Sequence, residues 1–369
     1  MKKILITLGI IFMFSCEPFV TEFSDSELAD PYEAKNITNA SYNGGAIKVV
    51  TWNIRFGIGR FPFFGDSCGD SVILDDTSIE KIMAAIADSI NVMDADIVLL
   101  QEADVKSKRT GYMDQVQYLL DNTNLNYGCY ASMWKADYIP SDGIGRIDAG
   151  NAILSKYELT DAERIQLRLR TDQDDLKQYF YLRRNIVKAK IPALAQNGKD
   201  LFAVNIHATA FATDDTKQQH INKYVEVLGD ISATGNLFVT GGDLNSVPPG
   251  SVVDFCLNDM CDDEEFHTET DGGPHKEGSY FNNFEGEPTL LDPLYSSIHM
   301  YQSAIDSTVK NGPEHFTHGP STSDLKYDRK LDYLFTNGEW ISDSSKTHQA
   351  AWELSDHMPV SAVFNAGSN

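Results

Sequence analysis

The chain has 369 residues, 42% of them apolar and 23% charged, which is a globular composition with room for one large core or two moderate ones. Lys and Arg number 30 against 54 Asp and Glu, a formal net charge of -24. That balance excludes general attraction to a phosphate backbone, so an anionic substrate would need local arginines or a cation.

The first element is a targeting segment. "MKK" is basic, and Ile4 to Phe14 is an apolar run too short to span a bilayer as a helix. Ser15-Cys16 follows; a small residue before a cysteine at this place resembles the lipobox of bacterial lipoproteins. Residues 1–15 are then a signal peptide and Cys16 the lipidated first residue of an exported, membrane-anchored protein, periplasmic or at the cell surface. The alternative is a plain signal peptide with an incidental cysteine. Residues 16–45 are polar, acidic and aperiodic, and read as a flexible tether. The other cysteines are Cys68, Cys129, Cys256 and Cys261, an even number that suggests disulfides in an exported chain. Cys256 with Cys261 would staple a local loop, and Cys68 with Cys129 would be the second pair.

Residues 46–366 read as one domain. "IKVVTWNI" (47–54) is a strand, and a loop rich in Gly and Phe follows it. Residues 77–93 are a helix, with Thr77 and Glu80 in a capping-box pattern and a stripe of Ile79, Ile82, Met83, Ile86 and Ile90. "ADIVLLQEA" (95–103) is a buried strand and 112–122 a short helix. "NAILS" (151–155), "RRNIVKAKI" (183–191) and "DLFAVNIHAT" (200–209) are strands, and 216–231 is a third helix. The strand "NLFVT" (236–240) precedes an irregular acidic stretch from about 250 to 315, where "CDDEEFHTETDGG" reads as a solvated loop or, alternatively, a calcium loop. Residues 330–337 and 358–364 are the last strands.

Polar residues sit where these apolar runs end. Asn53 follows "VVTW", Glu102 follows "IVLLQ", and His207 follows "AVNI". Asp243 and Asn245 follow "LFVTGG", Asp332 lies in "KLDYLF", and Ser355, Asp356 and His357 precede "MPVSAVF". If these ends converge, the cluster suits a hard divalent cation better than zinc. Oxygen donors, fixed amides and an oriented imidazole are also what phosphate-ester hydrolysis requires. Each residue taken singly reads more readily as a turn former. Most of His220, His267, His275, His299, His315, His318 and His348 are expected at the surface.

"TWNI", "LLQEA", "GNAILS", "NIHAT", "GGDLNS", "KLDYLF" and "SDHMPV", in that order, resemble the endonuclease/exonuclease/phosphatase superfamily, the DNase I-like hydrolases. The resemblance runs from Ile47 to Phe364. It implies a four-layer α/β sandwich: two mixed β-sheets packed face to face, with helices outside. It implies that Glu102 is the principal ligand of Mg2+ (with Mn2+ or Ca2+ as alternatives), that Asn53 orients it or the phosphate, and that Asp356 contacts the metal. Asp243 and Asn245 would position the attacking water and the phosphate. His357 would be the general base, Asp332 its orienting carboxylate, and His207 a phosphate contact. Arg183, Arg184, Asn205 and Asn151 are the expected substrate contacts; Arg55, Arg60 and Arg146 are further candidates. Ile206 stands where the family usually has threonine.

The expected protein is therefore an exported, Mg2+-dependent phosphodiesterase, acting as a monomer on nucleic acid or on a phospholipid headgroup. Phe61, Phe63 and Phe64 of "RFPFFGD" would be either a membrane wedge or packing beneath their loop. A non-catalytic surface binding module is the reading from a different class.

Overall fold

The computed structural model describes residues 20–249 apart from 39, 43, 65–69, 141–142 and 211, then 289–295, 302–304, 312–319, 327 and 329–367. The expected signal peptide, Cys16, the Cys256–Cys261 pair and the acidic run 261–273 lie outside the described residues. So does Cys68, while Cys129 is a free, buried thiol. The expected Cys68–Cys129 pair thus includes a residue outside the described ones. Cys129 faces the apolar layer between the sheets, and burial pushes its thiol up to about 12.

The strands, in chain order, are β1 (Ser26–Leu28), β2 (Asp30–Glu33), β3 (Ala46–Asn53), β4 (Ile97–Asp104), β5 (Tyr127–Ile139), β6 (Gly145–Ser155) and β7 (Thr160–Gln166). They continue as β8 (Asn185–Lys190), β9 (Leu201–His207), β10 (Leu237–Asp243), β11 (Gln302–Ser303), β12 (Asp332–Thr336), β13 (Lys346–Thr347) and β14 (Val360–Asn365). The helices are α1 (Asp76–Met93), α2 (Gln115–Asn122), α3 (Asp175–Phe180), α4 (Thr216–Ala233) and α5 (Asp292–Tyr295). Among the described residues, one sheet has the order β13-β14-β3-β4-β6-β5-β2 and the other β1-β7-β8-β9-β10-β12-β11.

Each sheet holds one parallel pair, β3 with β4 and β9 with β10; every other pairing is antiparallel. Parallel neighbours require a crossover, and α1 and α4 supply the two crossovers. The sheets meet face to face through Val49, Leu99, Ile153, Ala203, Val239 and Ala362. Ile79, Met83, Ile86 and Ile90 of α1 cover the outside of the first sheet, and Ile221, Tyr224 and Leu228 of α4 cover the second. This is the four-layer sandwich. The α1 cap is Asp75, whose side chain accepts from Ser78 N–H at 3.0 Å, not the expected Thr77.

Residues 26–33 correct the expectation of a free tether. β1 pairs with β7, β2 pairs with β5, and buried Ala29 between them packs in the inter-sheet layer. The segment closes one open edge of each sheet. Edge pairing uses backbone groups alone, so a polar sequence does it without any hydropathy signal. β5 and β7 were also missing from the sequence reading. β5 is buried on small residues such as Gly128, Ala131 and Ser132, which carry little strand signal.

The phenylalanine loop is not a wedge. Phe63 is buried, Phe61 and Phe64 pack against the same core, and the Arg109 guanidinium lies 3.5 Å from the Phe56 ring centroid beneath them.

Candidate active site

Both parallel pairs run towards one end of the sandwich. The carboxyl ends of β3 and β4 bring Asn53 and Glu102; those of β9 and β10 bring His207 and Asp243. The antiparallel neighbours β12 and β14 begin where these strands end, so Asp332 and His357 arrive at the same rim. Ligand sites of open α/β sheets lie at such carboxyl ends for the same geometric reason.

Backbone irregularities aim the side chains. The β4–β6 register shifts between Leu100 and Ala103, and Glu102 in that bulge has φ of +55°. Asn245, just past β10, has φ of +49°, and Arg55, just past β3, has φ of +46°. Each such non-glycine residue costs about 1–3 kcal/mol of strain. Gly241 and Gly242 are strand residues, not turn residues. They lie within β10, where a Cβ on Gly241 would collide with the Tyr333 carbonyl oxygen and one on Gly242 with that of Ile206. The glycines let three backbones close up directly beneath Asp243.

Asp243 is the hub. Its Oδ2 accepts from Asn53 Nδ2 at 3.1 Å and Asn245 Nδ2 at 3.2 Å, and lies 3.3 Å from His207 Nε2 and 3.6 Å from His357 Nε2. Burial alone would raise its pKa, but His357, His207 and the Asn245 N–H outweigh it and hold the carboxyl below the usual range. His357 Nδ1 is 2.8 Å from Asp332 Oδ2. Burial works against a charged His357, yet Asp332, Asp243 and Asp356 lift it well above an ordinary imidazole. Its peptide is fixed as well: Trp52 Nε1 donates to the His357 carbonyl at 3.0 Å, and His357 N–H donates to Ser355 Oγ at 3.1 Å. Burial pushes His207 down to about 4, with help from the positive charge of Arg184, so it is neutral at pH 7.

The residues expected to bind substrate divide into two groups. Arg184 is buried, and its Nε and Nη1 have no hydrogen-bond partner among the described residues. Its charge acts on both Glu102 and His207, which places it at the cluster. Arg183 instead donates to the carbonyls of Tyr179 and Tyr181 at 3.1 and 3.0 Å and fastens α3. Asn205 is wholly buried; it donates to the Leu100 and Ala152 carbonyls and accepts from Gln101, cross-linking the two sheets. Asn151 is equally buried and donates to Asn185. Both motif amides thus bond across the sheet interface, not at the cluster, although Asn151 Oδ1 keeps no hydrogen-bond partner among the described residues. Arg55 Nε sits 3.4 Å from Asp356 Oδ2, Arg60 donates to the carbonyls of Trp352 and Gly319, and exposed Arg146 pairs with Asp137.

The sequence pattern of the endonuclease/exonuclease/phosphatase family matches residues 50–357, which contain every residue of this cluster. The chain belongs to that family. It is a hydrolase acting on phosphoester bonds. Solved structures of family proteins share the fold. One from Beutenbergia cavernae is 14% identical with a TM-score of 0.55, covering 88% of this chain and 72% of that one. Others from Leptotrichia buccalis and Bacteroides vulgatus are each 15% identical with TM-scores of 0.50, covering 86% of this chain and 98% of theirs. No curated protein matches the sequence.

Hydrolases of this family typically use a divalent cation, and the donors here fit one. Glu102 is pushed up to about 7, first by burial and then by the negative charge of Asp356. Carboxylates that oppose one another's ionisation in this way are relieved by a dication. Asp356 itself is held low against burial, chiefly by Arg55. Asn53 is less available as a ligand, because its amide nitrogen donates to Asp243 and its oxygen accepts from Arg55 N–H at 2.9 Å.

Two histidines differ from the expectation of surface residues. His220 is buried: Nδ1 accepts from Thr209 N–H at 3.1 Å, and Nε2 is 2.7 Å from the Arg168 carbonyl. His318 stands beside the cluster, its ring centroid 5.3 Å from that of His357. It lies in "FTHGP", away from any strand end in the sequence, so no local pattern marks it.

Proposed function

We propose that the protein is an exported, divalent-cation-dependent phosphodiesterase that hydrolyses its substrate with a water activated by His357 and Asp332. The observation that carries this reading is the His357–Asp332 pair at 2.8 Å, with Asp243 3.6 Å from His357 Nε2 and a ligand oxygen of Asp356 within 4.8 Å of the imidazole. A cation held by Glu102 and Asp356 would withdraw negative charge from the phosphoryl group.

The surrounding carboxylates favour the imidazolium of His357, so the step runs from its neutral form: Nε2 takes a proton from the attacking water as the new P–O bond forms, the bond to the leaving oxygen breaks, and that oxygen takes its proton from solvent. Asp332 orients the ring and stabilises the imidazolium. Asp243 and Asn245 hold the water and phosphate in line. Neutral His207 donates from Nε2 to Asp243, which keeps that carboxylate turned inward. Arg184 Nε and Nη1, which have no partner among the described residues, bind a non-bridging phosphate oxygen.

Export and anchoring rest on the "MKK" segment, the apolar run and Cys16. With the phenylalanines packed inward, no loop among the described residues favours a lipid substrate over nucleic acid. The test is a panel of duplex DNA, RNA, sphingomyelin vesicles, an inositol phosphate and an aryl phosphodiester, each with Mg2+ or Mn2+. Hydrolysis of a diester that EDTA abolishes and His357→Ala cripples is expected. Equal turnover by the His357→Ala protein would overturn the reading, and metal binding without turnover of any ester would favour a binding module.

A further inference from the structure

The inward stripe of α4 runs through Lys217, Ile221, Tyr224, Leu228 and Ile231, spaced three and four residues apart on one face. The last four pack on the second sheet. Lys217 occupies the first place on the same stripe, at the end of the helix that follows β9, and is only 2% exposed. An apolar side chain would be buried there at lower cost than a lysine.

The Lys217 ammonium reaches a backbone group of the site. Its Nζ donates to the Asn245 carbonyl at 2.9 Å. That carbonyl lies past the end of β10, beyond the last pairings of Asp243 with His207 and Asp332. The rest of Asn245 is held as well. Its N–H donates to Asp243 Oδ1 at 2.9 Å, and Nδ2 donates to the Ala208 carbonyl at 2.9 Å and to Asp243 Oδ2 at 3.2 Å. With φ of +49°, Asn245 is in the left-handed region, which a residue other than glycine keeps only where its surroundings over-determine it. The contacts to Asp243 and Ala208 come from the ends of β10 and β9 themselves. Lys217 adds a charge-assisted bond from a helix outside those strands. One turn further on, His220 Nδ1 accepts from Thr209 N–H at 3.1 Å, so the start of α4 braces the exits of both β9 and β10.

We infer that Lys217 is a positioning residue for the hydrolysis: it fixes the backbone of Asn245 and so keeps the Asn245 amide against Asp243. This role rests on the proposed function, in which Asn245 holds the water and phosphate in line. Without the ammonium, the Asn245 carbonyl loses this donor and the amide its fixed aim, and a small misplacement of that kind lowers the rate of the chemical step. The alternative is that Lys217 only ties the start of the helix to the loop, in which case catalysis does not depend on it through Asn245.

A double-mutant cycle on the full chain separates the two, with Mg2+ and an aryl phosphodiester as the probe. Lys217→Met keeps the length of the side chain and removes the ammonium. It should lower kcat by about 10–100-fold and change KM by less than about threefold. In the Asn245→Ala protein the same substitution should change kcat by less than about threefold, because Lys217 acts through Asn245. Lys217→Gln, measured in both backgrounds, provides the same comparison if the methionine variant does not fold. An unchanged kcat in the Lys217 variants, or a loss as large in the Asn245→Ala protein as in the wild type, would overturn the inference and leave the proposed function standing. Failure of the wild-type chain to hydrolyse any ester of the substrate panel would overturn the proposed function, and the role of Lys217 with it.

Discussion

His357 Nδ1 and Asp332 Oδ2 are 2.8 Å apart, yet the two residues belong to opposite sheets. Asp332 opens β12 of one sheet, and His357 stands on the approach to β14 of the other. The pair forms only when the sandwich closes, so folding and assembly of the proton-transfer pair are one event. Replacing His357 by Ala or Asp332 by Asn is expected to lower kcat by about 10²–10⁴-fold with a smaller effect on KM. Steady-state kinetics on a diester substrate decide it; an unchanged kcat in Asp332→Asn would remove the orienting role.

Arg184 presents the opposite balance between stability and function. Its buried nitrogens lack partners among the described residues, so the folded protein carries an uncompensated desolvation cost there. Arg184→Gln should weaken substrate binding by about 10–100-fold, the range of a lost charge-assisted hydrogen bond. The same variant should melt no lower than the wild type. A lower melting temperature with unchanged KM would show that Arg184 supports the fold instead.

Gly242 has φ of +144°, and a side chain there would strike the Ile206 carbonyl oxygen of the paired strand. Gly242→Ala is expected to cost about 2–4 kcal/mol through backbone strain and overpacking, read from denaturant unfolding. Because β10 carries Asp243, the residual folded protein should also lose activity.

The buried histidines make stability depend on pH. Burial lowers His220 from 6.5 to about 4. As pH falls, the unfolded chain therefore takes up a proton before the folded one. Its contribution is fully present above about pH 6.5 and is lost between there and pH 4. His207, also lowered to about 4, acts in the same direction. Thermal melts from pH 7 down to 4 should fall steadily, and His220→Gln should flatten that slope by about 1.4 kcal/mol per pH unit. A slope unaffected by the substitution would mean that His220 is charged in the fold.

Much of this architecture is visible along the chain. The apolar runs of β3, β4, β9, β10, β12 and β14 mark themselves by hydropathy, and each ends on a residue of the site. The strands without such a signature were lost. β1 and β2 pair through backbone groups in a polar segment, and β5 is built on small residues. The same limit applies to side chains. Asn205 and His207 are two positions apart at the end of one strand, so they face opposite sides of it. One cross-links the sheets and the other joins the cluster, and their spacing alone does not say which.

The sequence by itself determined the family, the order of the motifs and the residue types available for chemistry, because hydropathy and motif order are properties of a line. Only the tertiary structure decided that Asn205 and Asn151 bond across the sheet interface, that Arg183 holds α3 while the charge of Arg184 acts on Glu102 and His207, and that His318 stands beside His357. The reason is physical. Those outcomes depend on which polar groups remain unsatisfied once two sheets have packed, and that is settled between segments far apart in the chain.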